Sequence, residues 1–188
     1  MEPNVGPQGC AGLEFSDLPT SSGVSKLGTE APLQTGNSVN HLVFVFGTLK
    51  EEFPNFRNNV GTRVPGTYET VNQYPLYLVG ERHSPWMVNT PGSGEHVIGQ
   101  VFRVDSNALA RMDILERVRE PDGYERILIK VRPWRGNPSH EDVDEDEDEV
   151  YAYLKNPRHL AGVEIKDGPF AEYSFAHSAL YRSRGGQT

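Results

Sequence analysis

An uninterrupted apolar run, LVFVF, covers residues 42–46 and ends at Gly47. A strand with one exposed face alternates apolar and polar residues, whereas a continuous β-branched and aromatic run is typical of a strand covered on both faces. We therefore predict a buried strand here. Gly47 permits either an ordinary surface turn or the close approach of a ligand to the backbone of the following loop, and the pattern leaves both open.

Further strands and one helix follow from composition, alternation and turn residues. The helix begins at Asp105 or Ser106, either of which can cap it, and runs to about Val118. A turn at 121–123 (PDG) separates it from the next strand. Gly99 interrupts one strand and marks a bulge or a point of close packing. The strands are predicted at residues 67–71, 74–79, 85–88, 97–104, 125–131 and 150–154, the last two forming a hairpin.

The remaining segments lack a sustained period. Residues 1–39 are rich in Gly, Ser, Pro and Thr, which predicts a disordered N-terminal tail before a domain at 40–183. The acidic stretch within 135–149 predicts a solvated, disordered insertion in the hairpin, because both calcium-loop frames place wrong residues at the glycine and final glutamate positions. Residues 173–182 are predicted to form a loop, and residues 184–188 to fray.

Composition narrows the class of protein. A chain of 188 residues accommodates one domain with a good core, and a net charge of −8 argues against a nucleic-acid partner. No stretch is long and apolar enough to cross a membrane, and we expect no secretory signal in the N-terminal residues. The single cysteine, Cys10, cannot form an internal disulfide. We expect a cytoplasmic protein, since that reducing compartment suits unpaired cysteine.

Two classes of chemistry find no support. None of the six histidines is spaced as part of a metal-ligand pair, so no metal site is predicted. A Gly-x-Ser-x-Gly elbow is absent, which argues against a serine hydrolase.

A helical wheel isolates Glu116 as a candidate for proton transfer. With Leu109 at zero, Met112 falls at about 300° and Glu116 at about 340°, inside the apolar stripe; Asp113, at about 40°, lies on its edge. Burial and the helix C-terminus would both raise the pKa of the Glu116 carboxyl, which suits a general acid/base. Alternatively, the helix ends early and Glu116 turns into solvent or pairs with Arg126.

Ordered short motifs resemble a known family. Residues 43–50 (VFVFGTLK) resemble the Tyr-Gly-Ser/Thr-Leu signature of the γ-glutamyl cyclotransferase superfamily. The motifs that follow in order resemble its γ-glutamylamine cyclotransferase branch: PN at 54–55, YPL at 74–76, GE at 80–81, PW at 85–86, PGSG at 91–94, VD at 104–105, LE at 115–116 and YER at 124–126. The resemblance covers about residues 42–154 and, more loosely, Tyr181 and Arg182.

The resemblance implies an α+β fold, a small mixed β-barrel with flanking helices, and an active site over one end of the barrel. The family's catalytic glutamate matches Glu116, and its substrate-binding loop matches Phe46, Gly47, Thr48 and Leu49. The implied reaction cyclises a small-molecule γ-glutamyl amine, such as γ-glutamyl-ε-lysine, to 5-oxoproline and free amine. No cofactor or metal is implied, and we expect a monomer with no nucleic-acid or membrane partner.

Two departures from the family pattern keep other functions open. Phe46 replaces the usual tyrosine and so lacks a hydroxyl. Glu51 and Glu52 replace a stretch that is commonly basic, which adds negative charge near an anionic substrate. A non-catalytic module that binds γ-glutamyl compounds or 5-oxoproline is one alternative. Another is a cyclotransferase that acts on γ-glutamyl amino acids.

Overall fold

A computed structural model describes residues 40–136 and 147–183. The predicted N-terminal tail, the frayed C-terminus and most of the acidic insertion lie outside the described residues. None of the described helices has the length and apolarity needed to span a bilayer. The strands are β1 (Asn40–Val45), β2 (Thr62–Arg63), β3 (Tyr68–Tyr74), β4 (Leu76–Val79), β5 (Ser84–Met87), β6 (Glu95–Asp105), β7 (Glu125–Pro133), β8 (Asp148–Leu154) and β9 (Ile165–Asp167), and the helices are α1 (Ser106–Leu115) and α2 (Phe175–Leu180).

Five strands close into a small barrel in the order β1-β8-β7-β3-β6, because β1 also pairs with β6. The β1–β8 pair is parallel and the other four pairs are antiparallel, so the barrel is mixed as predicted. The short strand β2 adds to β6 outside the ring. A second sheet, in the order β5-β4-β9, accompanies the barrel.

The strand β1 is covered on both faces, as its unbroken apolar run predicts. Phe44, together with Phe46 just beyond the strand, joins a cluster of side chains from all five barrel strands, which fills the barrel interior. Val43 and Val45 point the other way, into a cluster that includes Leu109 of α1. The alternation of side chains along a strand therefore divides one apolar run between two cores.

Close backbone packing explains the glycine inside β6. A Cβ on Gly99 would lie 2.5 Å from the carbonyl oxygen of Val45 and 2.6 Å from the Phe44 ring. Any side chain here would therefore displace β1, and the predicted close-packing point is confirmed.

Two predicted elements need correction. The predicted loop at 173–182 contains the helix α2, which begins with a capping box between Ser174 and His177. A histidine in place of the usual Glu or Gln concealed this signature, and six residues are too few to display a helical period. The helix α1 ends at Leu115, three residues before the predicted end.

Candidate active site

A cavity of about 330 Å³ opens beyond the end of β1 and brings together all five predicted site residues. Its lining includes the loop at 46–49, the residues around β5, and the segment at 115–116 that ends α1. Tyr181 and Ser183 complete it from the C-terminal part of the chain.

The loop after β1 is a tight turn. The Lys50 N–H donates to the Gly47 carbonyl at 3.1 Å, and the Asn55 N–H donates to the Thr48 carbonyl at 2.9 Å. Within residues 40–136 and 147–183, the N–H groups of Gly47, Thr48 and Leu49 donate to no protein acceptor. Gly47 and Leu49 are buried and Thr48 is half-buried. Consecutive unpaired N–H groups at a cavity are the usual arrangement for binding an anion.

Gly47 is needed for the approach of β5 to this loop. A Cβ there would lie 2.8 Å from Cγ of Pro85, which also lines the cavity. Beside it, the Phe46 ring is only 7% exposed and packs 6.4 Å, centroid to centroid, from Phe44 in the barrel interior. The aromatic residue at position 46 therefore anchors the loop to the core.

Glu116 caps the C-terminus of α1 and is half-buried. Arg117 follows with a positive φ of 57°; its N–H donates to the Ile114 carbonyl, and the Val118 N–H donates to the Asp113 carbonyl. This pair of bonds is a Schellman motif, which normally places glycine where Arg117 lies. The helix thus ends early, as one alternative proposed, but Glu116 lines the cavity and does not point away from it.

The turn at 120–123 holds Glu116 by its backbone. The Tyr124 N–H donates to the Glu116 carbonyl at 3.0 Å, and the Gly123 N–H donates to the Glu120 carbonyl. A Cβ on Gly123 would lie 1.7 Å from the Arg117 carbonyl oxygen, so only glycine fits at this point of the turn.

Arg126, the alternative partner expected for Glu116, binds Asp113 at 2.7 Å. The Tyr153 hydroxyl donates to the other oxygen of the same carboxylate at 2.8 Å. Burial, followed by the hydrogen bond to Asp113, raises the pKa of the Tyr153 phenol well above its usual value. Asp113 is thus committed to a structural network beside the cavity.

A chain of hydrogen bonds forms a further part of the cavity wall. Asn55 Nδ2 donates to Thr48 Oγ1 and to the Tyr181 hydroxyl, each at 3.0 Å. Arg82 Nη2 donates to the same Tyr181 hydroxyl at 3.1 Å, and Arg82 Nε donates to the Arg182 carbonyl at 2.9 Å. The Arg182 N–H returns a bond to the Arg82 carbonyl at 3.0 Å. Arg82 therefore holds the C-terminal segment beside the cavity.

A buried ammonium lies behind two aromatic residues of the cavity. Lys155 is 2% exposed, and its Nζ lies 4.7 Å from the Trp86 ring centroid and 4.1 Å from that of Tyr124. It also donates to the carbonyl of Asp122, in the turn that holds Glu116.

The acidic pair after the loop does not line the cavity. Glu51 binds Arg63 at 3.1 Å, and its N–H donates to Gln100. Glu52 is exposed, with a positive φ of 70°. Neither carboxylate is among the residues that line the cavity, so their expected effect, negative charge near an anionic substrate, stays a prediction.

Several residues of the cavity were given no role by the sequence. Asn55, Trp86, Tyr124 and Tyr181 occur in matched motifs, and this was the only sequence signal for them. Arg82 lies next to such a motif, and nothing in its local pattern indicates that it binds a residue 99 positions away.

The family model described as "Gamma-glutamyl cyclotransferase, AIG2-like" matches residues 43–172, well over half of the chain. Gamma-glutamylaminecyclotransferase B of Danio rerio is 36% identical over 119 residues, which cover 61% of this chain and 59% of that protein. Gamma-glutamylaminecyclotransferase of Homo sapiens is 38% identical over 98 residues, which cover 48% of this chain and 61% of that protein. The chain thus spans about three fifths of the length of these curated relatives.

A solved structure has the same fold. The crystal structure of an AIG2-like protein from Mus musculus superposes with a TM-score of 0.62 at 26% sequence identity. The superposition covers 79% of this chain and 99% of the mouse protein.

Proposed function

The chain belongs to the gamma-glutamyl cyclotransferase, AIG2-like family, and we propose that it is a γ-glutamylamine cyclotransferase that releases 5-oxoproline and a free amine. One observation carries the proposal: a single cavity is lined both by Glu116 and by a loop with three backbone N–H groups that donate to no acceptor in the described part of the chain. Relatives named gamma-glutamylaminecyclotransferase, 36% and 38% identical over the matched residues, support the same reaction.

The substrate carries its own nucleophile. The α-amino nitrogen attacks the γ-carbonyl carbon, a five-membered lactam forms, and the bond from that carbon to the leaving amine breaks. Because the reaction is intramolecular, correct folding of the substrate in the cavity supplies a large effective molarity, equivalent to several kcal/mol. No serine or cysteine nucleophile is required.

Glu116 is the proton carrier in this scheme. Its carboxylate accepts a proton from the α-ammonium group, which makes the amine nucleophilic. As the bond to the leaving amine breaks, the attacking nitrogen gives up a second proton to become the lactam N–H. Glu116 passes both protons to the leaving nitrogen, which departs as an ammonium ion. The number of protons is conserved, and no water is consumed. General acid/base catalysis of this kind contributes about 10²- to 10⁴-fold in rate.

The loop at 46–49 is the anion-binding element. The N–H groups of Gly47, Thr48 and Leu49 bind either the α-carboxylate of the glutamyl group or the oxyanion that develops on the γ-carbonyl. Hydrogen-bond donors fixed before the reaction stabilise such charge without reorganising during it. Phe46 contributes through the packing of its ring, which holds the loop against the barrel.

The test is incubation with γ-glutamyl-ε-lysine and measurement of 5-oxoproline. We expect turnover by the wild type and a loss of kcat of about 10²- to 10⁴-fold in Glu116→Gln. Glu120→Gln is the matched control, because Glu120 belongs to the same turn and its side chain is mostly exposed. No turnover of any γ-glutamyl amine by the wild type would overturn the reaction; equal turnover by Glu116→Gln would remove the role of Glu116.

A further inference from the structure

The charged residues that line the cavity are mainly basic, although the chain is acidic. Arg57 and Arg82 line it together with one carboxylate, that of Glu116, while the net charge of the whole chain is −8. Among the residues that the structure describes, Arg57 forms no ion pair or hydrogen bond through its guanidinium. A cationic wall in an acidic protein favours an anionic group on the ligand.

The hydroxyl proton of Tyr181 has no protein acceptor within 40–136 and 147–183. Both of its neighbours, Asn55 Nδ2 and Arg82 Nη2, are obligatory donors, so the hydroxyl oxygen accepts both bonds. The hydrogen of Tyr181 is not used in either bond. Since Tyr181 lines the cavity, this hydrogen is available to an acceptor on a bound ligand.

The other two tyrosines of the cavity differ in this respect. The Tyr153 hydroxyl donates to Asp113 at 2.8 Å, and the Tyr124 hydroxyl donates to the Pro85 carbonyl at 3.2 Å. Phe46 has no hydroxyl. Tyr181 is therefore the cavity phenol whose proton no described protein group receives.

The Arg82 guanidinium, next to the Tyr181 hydroxyl, has further N–H groups that can bind a ligand. A guanidinium has five N–H groups, and the described residues accept one bond from Nε and one from Nη2. The same two bonds, with the Tyr181 ring centroid 5.6 Å from the guanidinium carbon, fix the orientation of the group. A pre-oriented guanidinium next to a free O–H matches the geometry of a carboxylate.

We propose that Tyr181 and Arg82, with Arg57 nearby on the same cavity, form a subsite that binds a carboxylate of the substrate. The inference rests on the proposed function, because it takes the ligand to be a γ-glutamyl amine. Such a ligand offers two carboxylates: the α-carboxylate of the glutamyl group and, where the amine is an amino acid, the carboxylate of the leaving group. Substrates with a carboxylate in reach of Tyr181 and Arg82 are preferred.

Two substrates that differ in one group show which of the two carboxylates the subsite binds. γ-Glutamyl-ε-lysine carries both carboxylates, whereas γ-glutamylcadaverine lacks only that of the lysine. The kcat and KM values of wild type, Tyr181→Phe, Arg82→Gln and Arg57→Gln are measured on both compounds. Arg103→Gln, which removes an exposed arginine outside the cavity, is the control. Thermal melting checks that each variant is folded, and Arg82→Lys tests whether charge alone restores binding.

We expect KM to rise about tenfold or more in Tyr181→Phe and Arg82→Gln, and less in Arg57→Gln, with a smaller change in kcat. An increase confined to γ-glutamyl-ε-lysine assigns the subsite to the leaving-group carboxylate; an increase on both compounds assigns it to the glutamyl carboxylate. An active wild type with unchanged KM values in folded variants would overturn the subsite. An inactive wild type would instead overturn the proposed function.

Discussion

The two sides of the cavity are held in place by different means. On one side, the backbone at Glu116 is positioned by main-chain bonds: the Schellman motif at the end of α1 and the N–H of Tyr124. On the other, Tyr181 and Arg82 are positioned by side-chain bonds that include Asn55. The backbone support depends on the identity of few residues, Gly123 among them, whereas the side-chain network depends on every residue that belongs to it. The backbone that carries Glu116 thus changes with substitution at few positions, and the proposed carboxylate subsite changes with substitution at any member of its network.

The largest effect is expected from Gly123→Ala, which disturbs the backbone support. The added Cβ would lie 1.7 Å from the Arg117 carbonyl oxygen, so the turn must move. This movement would displace the Tyr124 N–H, which donates to the Glu116 carbonyl. We expect about 3 kcal/mol less free energy of unfolding and a kcat lowered by about 100-fold, as displacements near 1 Å produce. Urea denaturation and 5-oxoproline release measure the two quantities.

Asp122→Ala is the matched control for this variant. It changes an exposed side chain of the same turn, paired with Arg117 at 2.9 Å, and keeps the backbone. Its free energy of unfolding and kcat are expected to stay close to those of the wild type. If Gly123→Ala retained wild-type kcat despite lower stability, the turn would not be what positions Glu116.

The two buried lysines give the second prediction. Lys155 contacts Trp86 and Tyr124, which line the cavity, and the turn near Glu116. Lys50, 3% exposed, instead donates to the Tyr173 carbonyl at 2.7 Å and to Glu172, and its pKa is lowered mainly by burial. Methionine fills a similar volume without charge, so each substitution should change the free energy of unfolding by less than about 3 kcal/mol.

Activity should separate the two variants. Lys155→Met is expected to lower kcat/KM about tenfold, because the rings of the cavity lose a cation that orients them. Lys50→Met should leave kcat/KM within about twofold at equal folded fraction, and Lys155→Arg should recover part of the loss. Equal losses in the two methionine variants would show that general stability, and no local role of Lys155, sets the activity.

Asn55 is the side chain that links the loop at 46–49 to Tyr181, and its removal gives the third prediction. Asn55→Ala removes the donor shared by Thr48 and Tyr181, so Tyr181 should be held less firmly. Losing about 1 kcal/mol of hydrogen bonding corresponds to a KM about fivefold higher, with kcat nearly unchanged. Asn107→Ala, at an exposed position on α1, is the control. A fall in kcat without a change in KM would place Asn55 in the chemical step.

The parts of the fold that follow local rules could be predicted from sequence. The run at 42–46 encodes two buried faces, Gly99 marks close packing, and Asp105 caps α1 by accepting from the Ala108 N–H at 2.7 Å. The position of Glu116 could also be predicted, since the wheel placed it near the apolar stripe. The early end of α1 could not, because Arg117 adopts a positive φ that sequence rules reserve for glycine.

The other side of the cavity depends on contacts between distant parts of the chain. Tyr181 binds Asn55 and Arg82 across 126 and 99 residues, and no local period or turn signal encodes such pairs. The same holds for Glu51: its charge suggested an effect on the substrate, and its ion pair with Arg63, a residue outside the cavity lining, could not be predicted. Side-chain networks closed by tertiary structure are therefore what the sequence left undetermined.

The smallest predicted effect is a change with pH in the free energy of unfolding, caused by Tyr153 and its hydrogen bond to Asp113 beside Glu116. Burial and the bond to Asp113 raise the pKa of Tyr153 above that of an unfolded tyrosine, which is about 10. Its contribution to stability is complete below about pH 10 and is lost as the pH rises toward the folded-state pKa, because only the unfolded chain releases this proton. The loss is at most about 1.4 kcal/mol per pH unit.

In Tyr153→Phe, the free energy of unfolding should therefore fall less steeply than in the wild type between about pH 10 and 11.5, although it starts lower at neutral pH. Urea denaturation at several pH values gives both slopes. Tyr151→Phe on the same strand is the control, since the Tyr151 hydroxyl makes no hydrogen bond within the described part of the chain. Parallel slopes for Tyr153→Phe and wild type would mean that Tyr153 ionises alike in the folded and unfolded states. The hydrogen bond between Tyr153 and Asp113, which lies beside Glu116, would then add nothing to the pH dependence of the free energy of unfolding.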